Sequence, residues 1–219
     1  MLNILARASV SRVADPIGAL LVRAGITPNA MTVVGTVGTV AAALWFFPRG
    51  DLLAGTLVVT VFLMFDLLDG SMARTSGKVT RFGTVLDASC DRIADGVLFG
   101  CIAWWSFVVA DDKVTGAAAL ICLVSAQVIS YIKARAEAAG LRADGGLVER
   151  AERFIIALVG TGLHGCGVPY TVPITLWLLV VLALITVAQR LYAVYQSARE
   201  ADADPGVAAA GPSEETSTT

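Results

Sequence analysis

Apolar residues run along this chain in long blocks, and the polar residues collect between them. The blocks are Met31–Phe47, Leu52–Met72, Phe82–Ala110, Val114–Ile132, Phe154–Val168 and Thr171–Gln189. A helix needs roughly 20 apolar residues to cross a hydrocarbon layer about 30 Å thick, and all but the short fifth block meet or approach that length. Ahead of them, Leu2–Ala24 is amphipathic: Val13, Ile17, Leu20 and Leu21 form one stripe, and Arg7, Arg12 and Arg23 lie off it. That pattern suits a helix lying on a membrane surface. Asp15-Pro16 offers a restart within it, with Asp as N-cap and Pro at the first helical position. From Ala201 to Thr219 the chain is rich in Ala, Ser, Thr, Glu and Pro and reads as a disordered tail. The expected organisation is all-α: an amphipathic surface helix in residues 1–28, six transmembrane helices in 29–199, and a tail in 200–219.

Composition agrees with this class. Of the 219 residues, 56% are hydrophobic, and the mean hydropathy of +0.74 exceeds that of a soluble domain. The net charge of −2 decides little, because the charges are segregated. Arg7, Arg12, Arg23, Arg74, Lys78, Arg81, Lys133, Arg135, Arg142, Arg150, Arg153, Arg190 and Arg199 fall on one side of the predicted bundle. Only Arg49 and Lys113 fall on the other. Cytoplasmic loops carry the excess of Lys and Arg, so both termini are expected in the cytoplasm. Cys90, Cys101, Cys122 and Cys166 show no metal-binding spacing and read as reduced thiols. The N-terminus lacks the pattern of a cleavable signal peptide. No nucleic-acid partner is expected. Trp104, Trp105, Tyr170 and Trp177 fit aromatic belts at the outer interface, and the lone His164 reads as structural. Gly35 and Gly38 suggest close helix packing, with a dimer interface as one place for it.

Against this background, carboxylates stand out. Asp66 and Asp69 lie in the second block, Asp87 and Asp91 in the third. Acidic residues inside spanning segments are costly and mark function by default. On a helix, Asp66 and Asp69 project about 60° apart, and Asp87 and Asp91 about 40° apart. Two such faces meeting would gather hard oxygen ligands suited to Mg²⁺ or Mn²⁺. Counting from the block ends puts all four near the cytoplasmic side, at the level of Lys133, Arg153 and Arg190. Asp95 continues the Asp87/Asp91 stripe and reads as a structural, Arg-paired carboxylate.

The same residues carry a resemblance. Asp66, Asp69, Gly70, Ala73, Arg74, Gly83, Asp87 and Asp91 match D-x2-D-G-x2-A-R-x8-G-x3-D-x3-D, the signature of the CDP-alcohol phosphatidyltransferase family. The resemblance implies six spans after a surface helix, and transfer of a phosphoalcohol from a CDP-linked lipid to a small alcohol with release of CMP. It implies that Asp66, Asp69, Asp87 and Asp91 hold two metal ions and that Asp91 is also the general base. Gly70, Ala73 and Gly83 would admit the CDP-lipid, Arg74 would pair with a phosphate, and Thr80 would contact the nucleotide. Asn29, Ala30, Met31 and Thr32 resemble the family's other nucleotide contact, and equally read as a helix start.

The signature leaves the acceptor open. The segments Tyr131–Glu137 and Glu149–Arg153 are similar to those of the family's actinobacterial phosphatidylinositol phosphate synthases. That resemblance implies CDP-diacylglycerol as donor, inositol 1-phosphate as acceptor, and Ser130, Lys133, Arg153 and Arg190 as its contacts. A dianion in a membrane-embedded cavity needs several cations, although such residues also serve as ordinary topology anchors. Glycerol 3-phosphate and free inositol remain alternative acceptors. A cation- or proton-coupled transporter is the alternative of another class. The implied setting is the bacterial cell membrane, and the implied assembly a homodimer.

Overall fold

The computed structural model describes residues 16–76, 80–143 and 145–203, apart from the side chains of 66, 67 and 73–76. Every regular element of length among the described residues is a helix, with no strand among them. The predicted surface helix before residue 16 and the predicted tail beyond residue 203 lie outside the described residues.

Helix α1 covers residues 16–23. Gly18 is pressed against Ser71 and Met72, where a Cβ would sit 2.9 Å from Ser71 Oγ. Ile17 and Leu20 stay exposed. Helix α2, Pro28–Phe46, opens where Thr27 is extended and its hydroxyl accepts from the Ala30 N–H at 3.2 Å. Pro28 costs nothing there, because first-turn N–H groups have no helical partner. A 3₁₀ turn, Phe47–Arg49, and Gly50 at φ 84° then reverse the chain into α3, Leu52–Ser76. Helices α2 and α3 run antiparallel. Thr32 meets Asp69, Gly35 approaches Phe65, Gly38 approaches Phe62, and Gly55 meets Phe46. Gly35 and Gly38 thus serve packing within the chain, where Phe65 Cβ and the Phe62 carbonyl crowd the first and the Phe62 ring the second.

Helix α4, Arg81–Val108, starts at Thr80, whose hydroxyl accepts from the Gly83 N–H at 3.0 Å, and runs parallel to α2. Asp112 caps α5, Lys113–Ala138, accepting from the Val114 and Thr115 N–H groups at 3.0 Å and from the Thr115 hydroxyl at 2.5 Å. The hydroxyl bond above all, then the backbone bonds, holds the Asp112 carboxyl below the usual range. Helix α6, Arg150–Gly165, packs between α3 and α7, Thr171–Ala203. The loop before α6 is fastened to α7: Thr186 Oγ1 accepts from the Val148 N–H at 3.2 Å and Gln189 Oε1 from the Leu147 N–H at 3.0 Å.

Among the described residues, four helical stretches are long and apolar enough to cross a membrane: Pro28–Arg49, Leu52–Met72, Lys113–Ala138 and Thr171–Ala203. The third and fifth predicted spans differ. Helix α4 has the length, but its first fifteen residues carry Arg81, Asp87, Asp91, Arg92 and Asp95. Helix α6 has 16 residues and starts with Arg150, Glu152 and Arg153. At about 1.5 Å per residue it is roughly 24 Å long. Helix α7 continues to Ala203, almost four turns past its predicted span, and Arg190, Gln196, Ser197, Arg199, Glu200 and Asp202 lie in that extension.

The largest buried apolar side chains, among them Phe47, Leu52, Phe99, Ile102, Leu176 and Leu179, pack at mid-bundle and at the end away from the carboxylates. Trp105, expected in an outer belt, is 6% exposed instead, its ring edge-on to His164 at 5.1 Å. Trp104 and Tyr170 remain exposed. Cys90, Cys101 and Cys122 are buried thiols, and Cys166 is exposed. Small residues allow α6 to close on α3: Thr56 and Thr161 hydroxyls pair at 2.7 Å, and Gly165 lies against the Leu53 backbone. A Cβ at Gly165 would fall 2.4 Å from the Leu53 nitrogen, a backbone atom that cannot swing aside. Gly165→Ala is therefore expected to destabilise the bundle by about 1–3 kcal/mol, read as a lower thermal midpoint in detergent.

Candidate active site

The contacts of the helices collect the polar residues at one end of the bundle. Asp69, near the C-terminal end of α3, is 6% exposed, and its Oδ2 accepts from the Thr32 hydroxyl of α2 at 2.6 Å. Asp66 lies one turn earlier, its side chain outside the described residues. On α4 the four-residue spacing sets Asp87, Asp91 and Asp95 on one stripe, in order exposed, half-buried and fully buried. Helix α2 packs against both α3 and α4, so the two acidic faces approach across its first turns. Among the described residues no three Asp, Glu, His or Cys side chains converge as a ready cluster for an ion. Asp91 Oδ1 instead receives Arg150 Nη1 at 2.8 Å, with Arg92 Nη2 3.8 Å from its other oxygen.

The residues expected to meet a nucleotide fall into two groups. Asn29, Thr80 and Gly83 come together: a Cβ at Gly83 would lie 2.9 Å from both Asn29 Oδ1 and Thr80 Oγ1. A side chain at this position would have to push both oxygens aside. Ala30 and Met31 form the first turn of α2, Met31 buried. Thr32, next along the turn, donates its hydroxyl to Asp69. Gly70 follows Asp69 on α3 and is half-buried. The side chains of Ala73 and Arg74 lie outside the described residues.

The cations expected to meet an acceptor are dispersed among local partners. Arg190 is 6% exposed, donating from Nε to the Gly145 carbonyl at 3.1 Å and from Nη1 to the Ile129 carbonyl at 2.8 Å. The Ser130 hydroxyl donates to the Ala126 carbonyl at 3.1 Å. Lys133 is half-exposed, 3.9 Å from Glu137 on the next turn. Arg153 is 2% exposed and reaches Asp95 Oδ2 through Nη2 at 3.3 Å.

Arg150 and Arg92 were not marked as site residues by the sequence, yet they organise this end. Arg150 Nε meets Asp95 Oδ1 at 3.2 Å while Nη1 holds Asp91, and Arg92 Nη2 lies 3.5 Å from Asp95 Oδ2. A signal existed: Arg150 and Arg153 repeat at i, i+3 on the opening turn of an apolar helix, complementing the i, i+4 spacing of Asp91 and Asp95. Arg150 also borders a small open cleft between α2, α3, α4 and α6, where Thr32, Thr36 and Thr39 of α2 supply hydroxyls.

The chain's likeness to known proteins covers this whole bundle. The profile of the CDP-alcohol phosphatidyltransferase family matches residues 25–196. A phosphatidylinositol phosphate synthase of Mycobacterium marinum is 52% identical over 196 residues, which cover 88% of this chain and 84% of that one. One from Streptomyces avermitilis is 47% identical over 210 residues, covering 93% and 86%. The crystal structure of the Mycobacterium tuberculosis phosphatidylinositol phosphate synthase with CDP-DAG bound superposes with a TM-score of 0.79 at 50% identity, covering 85% of this chain and 95% of that one. The same enzyme with manganese and citrate gives 0.78, covering 84% and 90%. With the complete acidic signature lying inside the matched region, the chain belongs to the CDP-alcohol phosphatidyltransferase family.

Proposed function

We propose that this chain transfers the phosphatidyl group of CDP-diacylglycerol to inositol 1-phosphate, forming phosphatidylinositol phosphate and releasing CMP. The observation that carries this reading is identity near one half to phosphatidylinositol phosphate synthases along almost the whole of both chains. In the reaction, the acceptor hydroxyl oxygen bonds to the phosphorus bearing the diacylglycerol. The bond from that phosphorus to the oxygen of CMP breaks, and the hydroxyl proton passes to Asp91.

The donor set of Asp66, Asp69, Asp87 and Asp91 is purely carboxylate, the chemistry that suits two ions of Mg²⁺ or Mn²⁺. Bound there, such ions neutralise the diphosphate and polarise the phosphorus under attack. The chain does the rest by positioning. Thr32 fixes Asp69 against α2, Asn29, Thr80 and Gly83 shape the nucleotide end, and Arg74 pairs with a phosphate. Lys133, Arg153 and Arg190 receive the acceptor phosphate, with Ser130 beside them. Each keeps guanidinium or ammonium donors beyond those used in its local contacts.

In the membrane this reading adds α4 and α6 to the four apolar helices, their charged ends turned towards the polar end of the bundle. The exposed Ile17 and Leu20 of α1 support a surface helix with its apolar side in the bilayer. The bias of Lys and Arg supports a cytoplasmic active site and cytoplasmic termini in a bacterial cell membrane. The homodimer rests on the family resemblance alone.

The direct test offers CDP-diacylglycerol with inositol 1-phosphate, glycerol 3-phosphate or free inositol, separately, to the purified protein. CMP release confined to inositol 1-phosphate is expected, abolished by a chelator and restored by Mn²⁺ or Mg²⁺. Turnover with glycerol 3-phosphate or free inositol instead overturns the acceptor assignment. Asp91→Asn is expected to lower kcat by about 10²–10⁴-fold, the usual contribution of a positioned base. Its KM for CDP-diacylglycerol is expected to stay near the parent value, and a matching loss in donor affinity would argue against the base role.

A further inference from the structure

Asp95 lies outside the family signature, one helical turn beyond Asp91, and has no solvent exposure at all. A carboxylate so placed needs full pairing, but its surroundings supply more than pairing. Three guanidinium groups surround it, those of Arg92, Arg150 and Arg153, and two of them also reach Asp91. Removing any one partner would leave buried charge poorly compensated, so the cluster is held as a unit.

The two oxygens of Asp95 are divided between two arginines of one helix. Oδ1 takes Arg150 Nε at 3.2 Å and Oδ2 takes Arg153 Nη2 at 3.3 Å. Arg150 then extends Nη1 to Asp91 at 2.8 Å. The result is a continuous relay, Asp91–Arg150–Asp95–Arg153, from the carboxylate read as the base to a cation read as an acceptor contact. Arg153 Nε and Nη1 are buried with no hydrogen-bond partner among the described residues. It is therefore held through one nitrogen, with the donors of the other two uncommitted to the protein among the described residues.

We propose that Asp95 is a positioning residue for the acceptor: one buried carboxylate, by gripping Arg150 and Arg153 together, sets the acceptor-phosphate cation at a fixed place relative to Asp91. This inference rests on the reading that Arg153 meets the acceptor phosphate. In a merely structural role Asp95 would govern stability alone. In a positioning role its loss lets Arg153 move and lets Arg150 turn wholly to Asp91, so acceptor binding suffers before donor binding. A misplacement of about 1 Å near reacting groups can cost on the order of a hundredfold.

The experiment compares Asp95→Asn, Asp95→Glu, Arg153→Gln and the Asp95→Asn/Arg153→Gln double variant. Each is assayed as full-length protein in detergent for KM of inositol 1-phosphate, KM of CDP-diacylglycerol, and thermal midpoint. Asp95→Asn is expected to raise the acceptor KM by about ten- to a hundredfold and to leave the donor KM within about twofold. Asp95→Glu, which retains the charge, is expected to recover part of that loss. The double variant is expected to add little to Arg153→Gln, because both changes break one linkage. An unchanged acceptor KM in folded Asp95→Asn, or equal rises for both substrates, overturns the proposal. If Asp95→Asn shows no cooperative thermal transition, Asp95→Glu decides: an acceptor KM equal to the parent's overturns it. If Arg153→Gln raises the acceptor KM while the Asp95 variants do not, the positioning role alone falls. If Arg153→Gln itself leaves the acceptor KM unchanged, the reading of Arg153 falls, and the proposal with it.

Discussion

A carboxylate withdrawn from water costs several kcal/mol unless positive charge and hydrogen bonds replace its hydration, and Asp95 is wholly withdrawn. That demand draws Arg150 and Arg153 of α6 inwards and fixes the start of α6 against α4. The start of α6 in turn fixes the loop before it, which α7 holds through Thr186 and Gln189. One buried charge thereby determines how three helices and a loop meet around the polar end. The opposite end needs nothing comparable, because Phe47, Leu52, Leu176 and Leu179 pack there without polar side-chain atoms to satisfy.

Helix α2 performs a different service. Its glycines let α3 approach closely, and its Asn29 meets the start of α4 at Gly83. Its Thr32 hydroxyl reaches Asp69. The two halves of the acidic signature, joined by a short segment in sequence, are thus registered through a third helix. Hydroxyls suit this place: Thr and Ser satisfy their own helix carbonyls when unoccupied, yet can turn to a carboxylate at little cost. The same economy recurs at Thr56 and Thr161, where α3 meets α6.

Much of this arrangement was legible in the sequence, for identifiable reasons. Long apolar blocks dictate helices, and the i, i+3 and i, i+4 spacings dictate which acids share a face. Thr27-Pro28 and Asp112 announce helix starts by chemistry that is local. What escaped was set by contacts between distant segments. Arg150 reads as one more basic residue beside a loop, and only folding carries it to Asp91 and Asp95. Trp105 looks like an interfacial aromatic until His164 and Gly50 enclose it. Gly35 and Gly38 advertise a close approach without naming the partner, which is Phe62 and Phe65 of the same chain. Helix α4 fails a simple apolar criterion because the charges it carries are those it brings to the site.

Arg190 shows how structural and functional assignments of one residue can coexist. A guanidinium has five N–H donors in a planar fork, whereas two carbonyl bonds occupy only Nε and one terminal nitrogen. Those bonds tie the end of α5 and the Gly145 turn to α7, and they remove the rotamer freedom that a long side chain would otherwise lose on meeting an anion. A cation already immobilised by backbone carbonyls binds a phosphate with less entropic cost than a free one. On the proposed reading, the carbonyl contacts of Arg190 and the carboxylate contact of Arg153 are the same device: each spends part of a fork on the fold and leaves the remainder for the acceptor's charge.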